Sequence, residues 1–511
     1  MQPPREVLVD SQEFIPFEEA SFKWKSEALA ELARPCGRFK SVLSLEKTLT
    51  IKLADSIENS DLLGGASLIF SKGIPANWQA LLNYLHKKEI IAEPRFYTKK
   101  FSPDRPKVNS ARLQPCDSFD KTDGRKVDPY GFGSARTLEE AMSKAVGEVL
   151  ERYFLTLYRR EAFSTFSRAS LLEWKKNFFD PAALNSFLPW QKEMLPDLVW
   201  DDNTPFCFVK GEELIGKKTA YIPAQLVFWN YQFGHREPLL IGPTTSGAAG
   251  HFTKNEAFLA SLLENIERDG FFIYWLNSLS PNVIDVSLVE DEEAKELLAY
   301  IERYHLEVFF LNTTTDIGIP SCVCAVIDRT CDEPVISLGG AAGFNIAELI
   351  VHSAGEALSV NAFVDKGEKY VLPAQYKPFT DANIRRSERL LAWKGQEMYE
   401  RFKFFIAGKK QSPDSFMNGI NRFRSPEERL EHICKRFKEM GDAYKVYGYE
   451  VKSGVLNTLG YHVVRTVVPP LVPLYLRENV ATLDSKRLRE VPQKLGYKTT
   501  GKMNPWPHPF P

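Results

Sequence analysis

The chain has 511 residues, a formal net charge of −1, 44% hydrophobic residues and 26% charged residues. These proportions indicate a globular protein with a sizeable core. The near-neutral charge argues against general nucleic-acid binding, because such binding depends on basic residues that release counterions. The sequence shows no signal peptide, and no apolar run approaches the length of a membrane span, so we expect no membrane association. The seven cysteines lack paired metal-ligand spacing, and a reducing cytoplasm is the expected compartment.

The sequence divides into a small α+β region, residues 1–105, and a larger α+β domain, residues 106–511. In the first region, residues 22–32 have the pattern of a short helix and residues 41–53 alternate like a strand. Residues 77–94 have the pattern of a helix that ends in an extended piece. This order is typical of a small winged helix-turn-helix. Packing against a partner subunit explains it equally well, and DNA binding explains it least because the region lacks a basic face.

The larger domain is expected to contain mixed or antiparallel sheets packed with helices. Near its start, the turn at residues 131–134 (GFGS) leads into a helix that carries Glu148, Glu151 and Arg152 as an E-x-x-E-R sequence. A Gly-x-Gly turn before a helix can cradle a phosphate group. The hydroxyl of Ser134 can donate a further hydrogen bond to such a group.

The most informative stretch is residues 254–275, where leucines and an isoleucine at helical spacing form one strongly apolar face. Near its end, Glu264, Glu267 and Arg268 repeat the E-x-x-E-R spacing. The two carboxylates stand three residues apart and therefore project from nearly the same side of the helix. Ser246 precedes this helix in a turn of small residues, where a backbone can approach a nucleotide closely.

A third segment with helical character, residues 345–363, places Glu356 among apolar and small residues after the sequence GGAAG. Carboxylates that lie close together repel each other unless a cation or a hydrogen-bond donor separates them. We therefore interpret the three helices as a site where carboxylates hold hard divalent cations such as Mg²⁺, which prefer oxygen ligands and commonly also bind phosphates. Ordinary solvated helix faces with ion pairs three or four residues apart would show the same spacing.

These motifs resemble those of the YcaO family, a group of ATP-dependent enzymes that modify peptide backbone amides. The resemblance extends from about residue 130 to the C-terminus and rests on four segments in a fixed order. They are GFGSARTLEEAMSKAVGEVLERY, TTSGAAGHFTKNEAFLASLLENIERD, GGAAGFNIAELIVHSAGEAL and the closing NPWPHPFP. Each segment alone is weak evidence, but their order and spacing are specific.

The resemblance implies that ATP and Mg²⁺ are the cofactors. The implied metal ligands are the glutamates of the three helices, namely Glu148, Glu151, Glu264, Glu267 and Glu356. The implied nucleotide contacts are these glutamates together with Ser134, Arg152, Ser246, Arg268 and His352. The sequence departs from the family pattern at two positions, since His352 stands where an arginine is expected and Phe132 where similar enzymes often have a lysine.

The tail has proline at every second position, Pro505, Pro507, Pro509 and Pro511, and each ring holds the chain extended. A disordered proline-rich end would have the same composition. The resemblance implies instead the PxPxP tail of azoline-forming members, which inserts the terminal carboxylate near the nucleotide. The Pro511 carboxylate is then the expected general base, and Glu148 and Glu267 are the other expected catalytic groups.

The activity that the resemblance implies is an ATP-dependent cyclodehydratase. Such an enzyme converts Cys, Ser or Thr of a ribosomally made precursor peptide into thiazoline or oxazoline rings. ATP-dependent formation of a thioamide or an amidine is an alternative within the same fold. A second alternative is a non-catalytic substrate-binding or scaffold subunit of a modification complex, which the two departures at Phe132 and His352 favour.

The resemblance also implies partners. The expected substrate is a precursor peptide, whose leader a winged-helix module would bind by strand addition. Because the first region does not resemble a ubiquitin-activating enzyme, we expect a separate partner subunit of that type, with a flavin-dependent dehydrogenase as a further member of the complex. A homodimer within this larger complex is the expected assembly, with neither nucleic acid nor a membrane as a partner.

Overall fold

The computed structural model describes residues 76–98, 109–116, 131–135, 137–330, 333–366, 369–380 and 384–510. The helix and strand predicted within residues 22–53, and the final residue Pro511, lie outside these ranges. Within them, no helix is both long enough and apolar enough to cross a membrane.

Helices occur along the whole described chain. They are α1 (Ala76–Lys87), α2 (Leu138–Phe154), α3 (Arg168–Glu173), α4 (Pro189–Met194), α5 (Ala224–Val227), α6 (Lys254–Leu276), α7 (Glu292–Glu302), α8 (Ile346–Lys366), α9 (Arg386–Leu391), α10 (Gln396–Phe402), α11 (Pro413–Met417), α12 (Pro426–Met440), α13 (Gly454–Leu459) and α14 (Lys486–Lys494). The predicted helices at residues 254–275 and 345–363 correspond to α6 and α8.

Strands alternate with these helices. They are β1 (Tyr97–Thr98), β2 (Asn109–Leu113), β3 (Gly131–Ala135), β4 (Ser164–Ser167), β5 (Pro205–Glu213), β6 (Lys218–Pro223), β7 (Ala248–His251), β8 (Val283–Ile284), β9 (Glu307–Asn312), β10 (Ser321–Asp328), β11 (Val335–Ala342), β12 (Lys410–Gln411), β13 (Tyr447–Glu450) and β14 (His462–Val467).

The strands form three sheets. The first has the order β1-β2-β3, the second β11-β10-β9-β8-β12, and the third β4-β5-β13-β14-β7 with β6 paired to β5. The β8–β12 pair is parallel, whereas the other pairs among the described strands are antiparallel. This arrangement confirms the predicted α+β class with mixed and antiparallel sheets packed with helices.

Helix α6 lies between the second and third sheets, because it packs on β7 and β14 on one side and on β10 and β11 on the other. Its start is fixed by Thr253, whose hydroxyl accepts a hydrogen bond from the Glu256 N–H at 3.2 Å. Gly270 lets the helix approach the second sheet closely, since a Cβ at this position would lie 2.5 Å from the Thr313 carbonyl oxygen.

Helices α2 and α8 each pack on the strand that precedes them, α2 on β3 and α8 on β11. Glycines in those strands make the contact close: a Cβ on Gly133 would lie 1.9 Å from the Ala141 carbonyl oxygen, and one on Gly339 would lie 2.3 Å from that of Ser353. A capping box between Thr137 and Glu140 begins α2. Each glutamate helix is therefore held in register with a neighbouring strand.

Helix α1 shares a hydrophobic core with α2, in which Trp78, Leu82 and Leu85 lie with Ala145 and Val149. Strand β1 also pairs with β2 of the first sheet. The part of the first region that the structure describes is therefore packed against the first glutamate helix.

Candidate functional site

Three helices bring the predicted glutamates to one place. Glu148 and Glu151 lie on α2, Glu264 and Glu267 on α6, and Glu356 on α8. The charges of Glu264 and Glu148 act on Glu151, and those of Glu356 and Glu264 act on Glu267. The five carboxylates therefore form one cluster of interacting charges, the glutamate pocket.

One glutamate on each helix accepts a hydrogen bond from the backbone of the strand or turn that precedes the helix. The donor–acceptor pairs are Phe132 N–H with Glu148, Gly247 N–H with Glu264 at 3.0 Å, and Gly340 N–H with Glu356 at 2.8 Å. The same strand-to-helix contact thus occurs three times around the pocket, and it orients one carboxylate each time.

The two E-x-x-E-R sequences also use their arginines in the same way. Arg152 forms an ion pair with Glu148, four residues earlier. Arg268 pairs with Glu264 at 3.4 Å and also with Glu267 at 3.0 Å. The first glutamate of each sequence is therefore fixed by both a backbone N–H and a guanidinium.

The second glutamate of each sequence is less tightly held. Burial, reinforced by the charges of Glu264 and Glu148, raises the pKa of Glu151 to about 8. Burial also raises the pKa of Glu267 to about 8, with Arg268 opposing the shift and Glu356 reinforcing it. Both carboxylates therefore tend to hold a proton at neutral pH when no cation is bound, and a divalent cation would displace it.

The residues present fit a metal-bound nucleotide better than a bare metal ion. Among the described residues, no three carboxylate, imidazole or thiolate groups converge into a ready-made metal site. Mg²⁺, however, is commonly held by only one or two carboxylates together with phosphate oxygens and water. The buried Nε of Arg268 has no hydrogen-bond partner in the described part of the chain, as expected for a donor that awaits an anion.

A second group of polar residues lies one helical turn before Glu148 and Glu356. The Lys144 ammonium donates a hydrogen bond to the Ser134 carbonyl oxygen at 3.3 Å. Burial, followed by the nearby charge of Lys144, lowers the pKa of His352 to about 3. The predicted residues Ser134 and His352 therefore lie together beside Lys144, and the imidazole is neutral at physiological pH.

The turn before α6 forms a further side of the site. Ser246 and Thr244 are buried, and their hydroxyls are hydrogen-bonded to each other at 3.0 Å. Arg465 on β14 is 3% exposed and donates to the Thr244 carbonyl oxygen at 2.6 Å. Ser246, Arg268 and Arg465 line one cavity, whose remaining wall is largely aliphatic.

The described part of the C-terminal tail packs against α6 beside Arg268. Phe510 is fully buried, its ring stacks on Phe271 with centroids 4.3 Å apart, and the Arg268 guanidinium lies 4.5 Å from its centroid. Upstream, the Trp393 indole donates to the Pro507 carbonyl oxygen at 3.0 Å. The tail is thus docked at least to Phe510, and Pro511 follows directly outside the described residues.

Asp269, the next residue after the second E-x-x-E-R sequence, does not belong to the site. Its carboxylate accepts two hydrogen bonds from Arg487, at 2.7 and 2.6 Å, and one from the Val472 N–H at 2.9 Å. Asp269 is fully buried. It is therefore a structural group that ties α6 to α14.

Three cations around the pocket were not predicted from the sequence. Lys144 lies four residues before Glu148, so helical spacing was an available signal. Arg465 interrupts the apolar sequence HVVRTVV, and a charge in such a strand is also a signal. Arg386 lies in residues 370–426, which show no recognisable pattern, and nothing in the sequence indicated that it faces Glu148 and Glu356.

Three solved structures are among those that share the fold of this chain. A heterocyclase in complex with substrate and cofactor has a TM-score of 0.66 and 18% identity, covering 84% of this chain and 57% of that one. YcaO from Methanopyrus kandleri bound with AMPPCP and Mg²⁺ has a TM-score of 0.51 and 17% identity, covering 77% and 91%. A chain of the E. coli microcin synthetase McbBCD complex has a TM-score of 0.51 and 14% identity, covering 81% and 96%.

The curated relatives are longer than the part that matches this chain. The matched segment spans 50% of one of them at 26% identity and 33% of another at 28% identity, and both are uncharacterised. The family model described as YcaO cyclodehydratase, ATP- and Mg²⁺-binding, matches residues 132–472, which is more than half of the chain. The matched range contains the three glutamate helices, and the chain therefore belongs to the YcaO family.

Proposed function

We propose that the protein is an ATP-dependent peptide cyclodehydratase that forms thiazoline or oxazoline rings. The observation that carries this proposal is the convergence of five glutamates from three helices on one pocket, next to the docked C-terminal tail. The pocket offers acidic groups for cations and guanidinium groups for phosphates, which is what binding of a metal–triphosphate requires.

In this proposal the five glutamates would hold Mg²⁺ together with the phosphates of ATP. The bound ion would neutralise charge on the triphosphate. Glu148, Glu264 and Glu356 are fixed by backbone N–H groups and shape the pocket. Glu151 and Glu267, with their raised pKa values, lose their protons when the cation binds.

The ring closes in two stages. The thiol or hydroxyl of a substrate Cys, Ser or Thr attacks the preceding amide carbon and gives up its proton to a base. The former amide oxygen then takes the γ-phosphoryl group of ATP, which releases ADP. Loss of inorganic phosphate and of the amide proton leaves the carbon–nitrogen double bond of the azoline. Phosphorylation is needed because the amide oxygen is otherwise a poor leaving group.

We assign the role of the base to the Pro511 carboxylate. The support is the position of the preceding residue, since Phe510 is held against both Arg268 and Gly340 beside Glu267. Proline fixes the backbone of the tail, so little conformational entropy is lost when the carboxylate is presented. Deletion of Pro511 is expected to abolish ring formation while the protein stays folded.

The proposed substrate is a ribosomal precursor peptide, and the proposed partner is a separate subunit that resembles a ubiquitin-activating enzyme. A flavin-dependent dehydrogenase that oxidises the rings is a further proposed member, and a homodimer is the proposed core. Support comes from relatives of the same fold, which include a chain of the microcin synthetase McbBCD complex. The cytoplasm, where thiols stay reduced, is the proposed compartment, in keeping with the free cysteines of the described chain.

The test uses the full chain with a candidate precursor peptide and its partner subunit. We expect phosphate release that depends on the peptide, together with the loss of one water mass per modified residue. Glu267→Gln serves as the matched inactive control. If the product instead gains sulfur or an amine in place of the amide oxygen, the activity is thioamide or amidine synthesis and not ring formation. If the wild-type protein binds no nucleotide, the non-catalytic scaffold subunit is the remaining alternative.

A further inference from the structure

The two arginines of the E-x-x-E-R sequences are largely occupied by neighbouring carboxylates. Arg152 is paired with Glu148 and Arg268 with Glu264 and Glu267. Their side chains are only 15% and 12% exposed. A triphosphate needs cationic donors that the protein has not already neutralised, and these two can supply only part of them.

Arg386 is a cation of the pocket with no such carboxylate partner. It begins α9, its side chain is exposed, and it forms no hydrogen bond or ion pair with any residue that the structure describes. The charges of Arg152, Glu148, Glu356 and Arg268 all act on it, and α9 packs against α8, the helix that carries Glu356.

The rest of α9 is anchored, so Arg386 stands on a fixed support. Arg389, one turn later, is fully buried and forms an ion pair with Glu478. Its guanidinium also donates to the Leu476 carbonyl oxygen at 2.7 Å. Leu390 packs in a small cluster with Val335 at the start of β11. These contacts fix the position of α9 and therefore of the Arg386 backbone.

Lys144 is another cation beside the glutamate pocket, and it too has no carboxylate partner among the described residues. Its recorded contact is with the Ser134 carbonyl oxygen, which leaves two ammonium hydrogens for a ligand. It stands beside His352, which is neutral, and one turn before Glu148. Lys144 and Arg386 therefore approach the pocket from the α2 side and the α9 side.

We propose that Lys144 and Arg386 are phosphate-contacting cations of this site, and that they fix the outer phosphates while Arg152 and Arg268 mainly orient the glutamates. This inference rests on the proposed function, because it takes the ligand to be ATP. It assigns a role to two residues that lie outside the E-x-x-E-R sequences.

The experiment measures the binding of AMP, ADP and AMPPCP with Mg²⁺ to the full chain by calorimetry. Lys144→Met and Arg386→Met are each expected to weaken AMPPCP binding by about tenfold or more, because each removes a charge-assisted hydrogen bond to an outer phosphate. The loss should be smaller for ADP and smallest for AMP, because AMP lacks the outer phosphates. Arg385→Met, at the neighbouring exposed position, is the matched control and should bind like wild type.

Two conservative variants separate a phosphate contact from a structural role. Lys144→Arg and Arg386→Lys keep the charge and should retain most of the affinity for AMPPCP. If the methionine variants bind AMPPCP like Arg385→Met, or lose AMP and AMPPCP equally, the inference is overturned while the proposed function stands. If wild type binds none of the three nucleotides, the proposed function fails and the inference fails with it.

Discussion

Residues one turn apart on the glutamate helices have different tasks. Glu264 is fixed by the Gly247 N–H and by Arg268, whereas Glu267 has a pKa near 8 and only the Arg268 contact. Glu148 and Glu151 repeat this division on α2. Burial raises the pKa of all four carboxylates. In the proposed site the fixed member shapes the pocket, and the member whose pKa is raised to about 8 exchanges a proton for a cation. A single helical motif thereby supplies both rigidity and charge.

The raised pKa values make nucleotide binding depend on pH. Below about pH 8, Glu151 and Glu267 are largely protonated in the free protein, and a proton must leave before Mg²⁺ can bind. The affinity for Mg²⁺–AMPPCP should therefore rise as the pH increases towards about 8 and then level off. Calorimetry in buffers of different ionisation enthalpy should detect the released protons. An affinity that falls over this interval would contradict the assignment, and Glu151→Gln should weaken the pH dependence.

Asp269, the residue after the second E-x-x-E-R sequence, should matter for stability, whereas Glu267 should matter for nucleotide binding. Asp269→Ala removes one of the two carboxylates paired with the buried Arg487 and leaves Asp316 as the other, and we expect a loss of about 3 kcal/mol or more in the free energy of unfolding. Glu267→Gln removes a buried carboxylate and should cost little stability while it abolishes nucleotide binding. Denaturant unfolding of both variants, together with nucleotide titration, would distinguish the two roles. Equal destabilisation by both substitutions would contradict this division.

Sequence spacing predicted the acidic residues of the site but not all of its cations. The E-x-x-E-R repeats identify Glu148, Glu151, Glu264 and Glu267, because helical periodicity places them on one side of each helix. Arg386 was not predictable in this way. It reaches the pocket through tertiary packing of α9, and no local periodicity encodes that position.

The elements that carry the site are held by glycine contacts between strand and helix. In β11, Gly339 faces the α8 backbone and Gly340 donates to Glu356. The corresponding contact on α2 involves Gly131 and Gly133 of β3. A Cβ added at Gly131 would lie 2.1 Å from the Ala145 carbonyl oxygen. Close approach of the helix to the strand is what brings each glutamate within reach of a backbone N–H.

Substitution of one of these glycines tests this arrangement. A Cβ on Gly339 would lie 2.3 Å from the Ser353 carbonyl oxygen and 2.5 Å from the Ala357 nitrogen, so Gly339→Ala must push α8 away from β11. We expect a loss of about 1–3 kcal/mol in stability, together with weaker nucleotide binding because Glu356 shifts. Unfolding curves and AMPPCP titration provide the measurement.

Gly355→Ala is the matched control on the same helix, because a Cβ there meets nothing within 4 Å. This change should be neutral or stabilising by up to about 1 kcal/mol, since alanine favours the helix more than glycine does. If Gly339→Ala were tolerated as well as Gly355→Ala, the close contact would not be what positions the helix.

Element types were more predictable than their arrangement. Apolar periodicity identified α6 and α8, and their observed bounds agree closely with the predicted ranges. The placement of α6 between two sheets was not predictable, because it depends on pairings between distant strands such as β7 with β14. Such pairings are encoded in complementary surfaces rather than in any local pattern.

At the scale of the whole molecule, the C-terminal tail packs along α6 and reaches the candidate site. Residues 504–510 run beside α6, beginning with the Asn504 N–H, which donates to the Leu276 carbonyl oxygen at 2.7 Å. His508 is fully buried and contacts the Tyr475 carbonyl oxygen at 2.8 Å. The charge of Arg389 on α9 acts on His508 of the tail, and α9 also packs on α8, the helix of Glu356. Tail docking and nucleotide binding are therefore expected to depend on the same packing.

The docked tail yields the final prediction. Phe510→Ala removes a fully buried ring that contacts Phe271, Arg268 and Gly340. Truncation of a buried phenylalanine costs about 3–5 kcal/mol, but a terminal segment can detach before the rest of the protein unfolds. We therefore expect faster hydrogen exchange at residues 504–510 and loss of azoline formation in the substrate peptide. The change in global stability should be smaller. Phe363→Ala, at a side chain that is 43% exposed, should leave exchange in the tail unchanged. Unaltered tail exchange in Phe510→Ala would show that the proline-rich backbone alone holds the tail against the pocket.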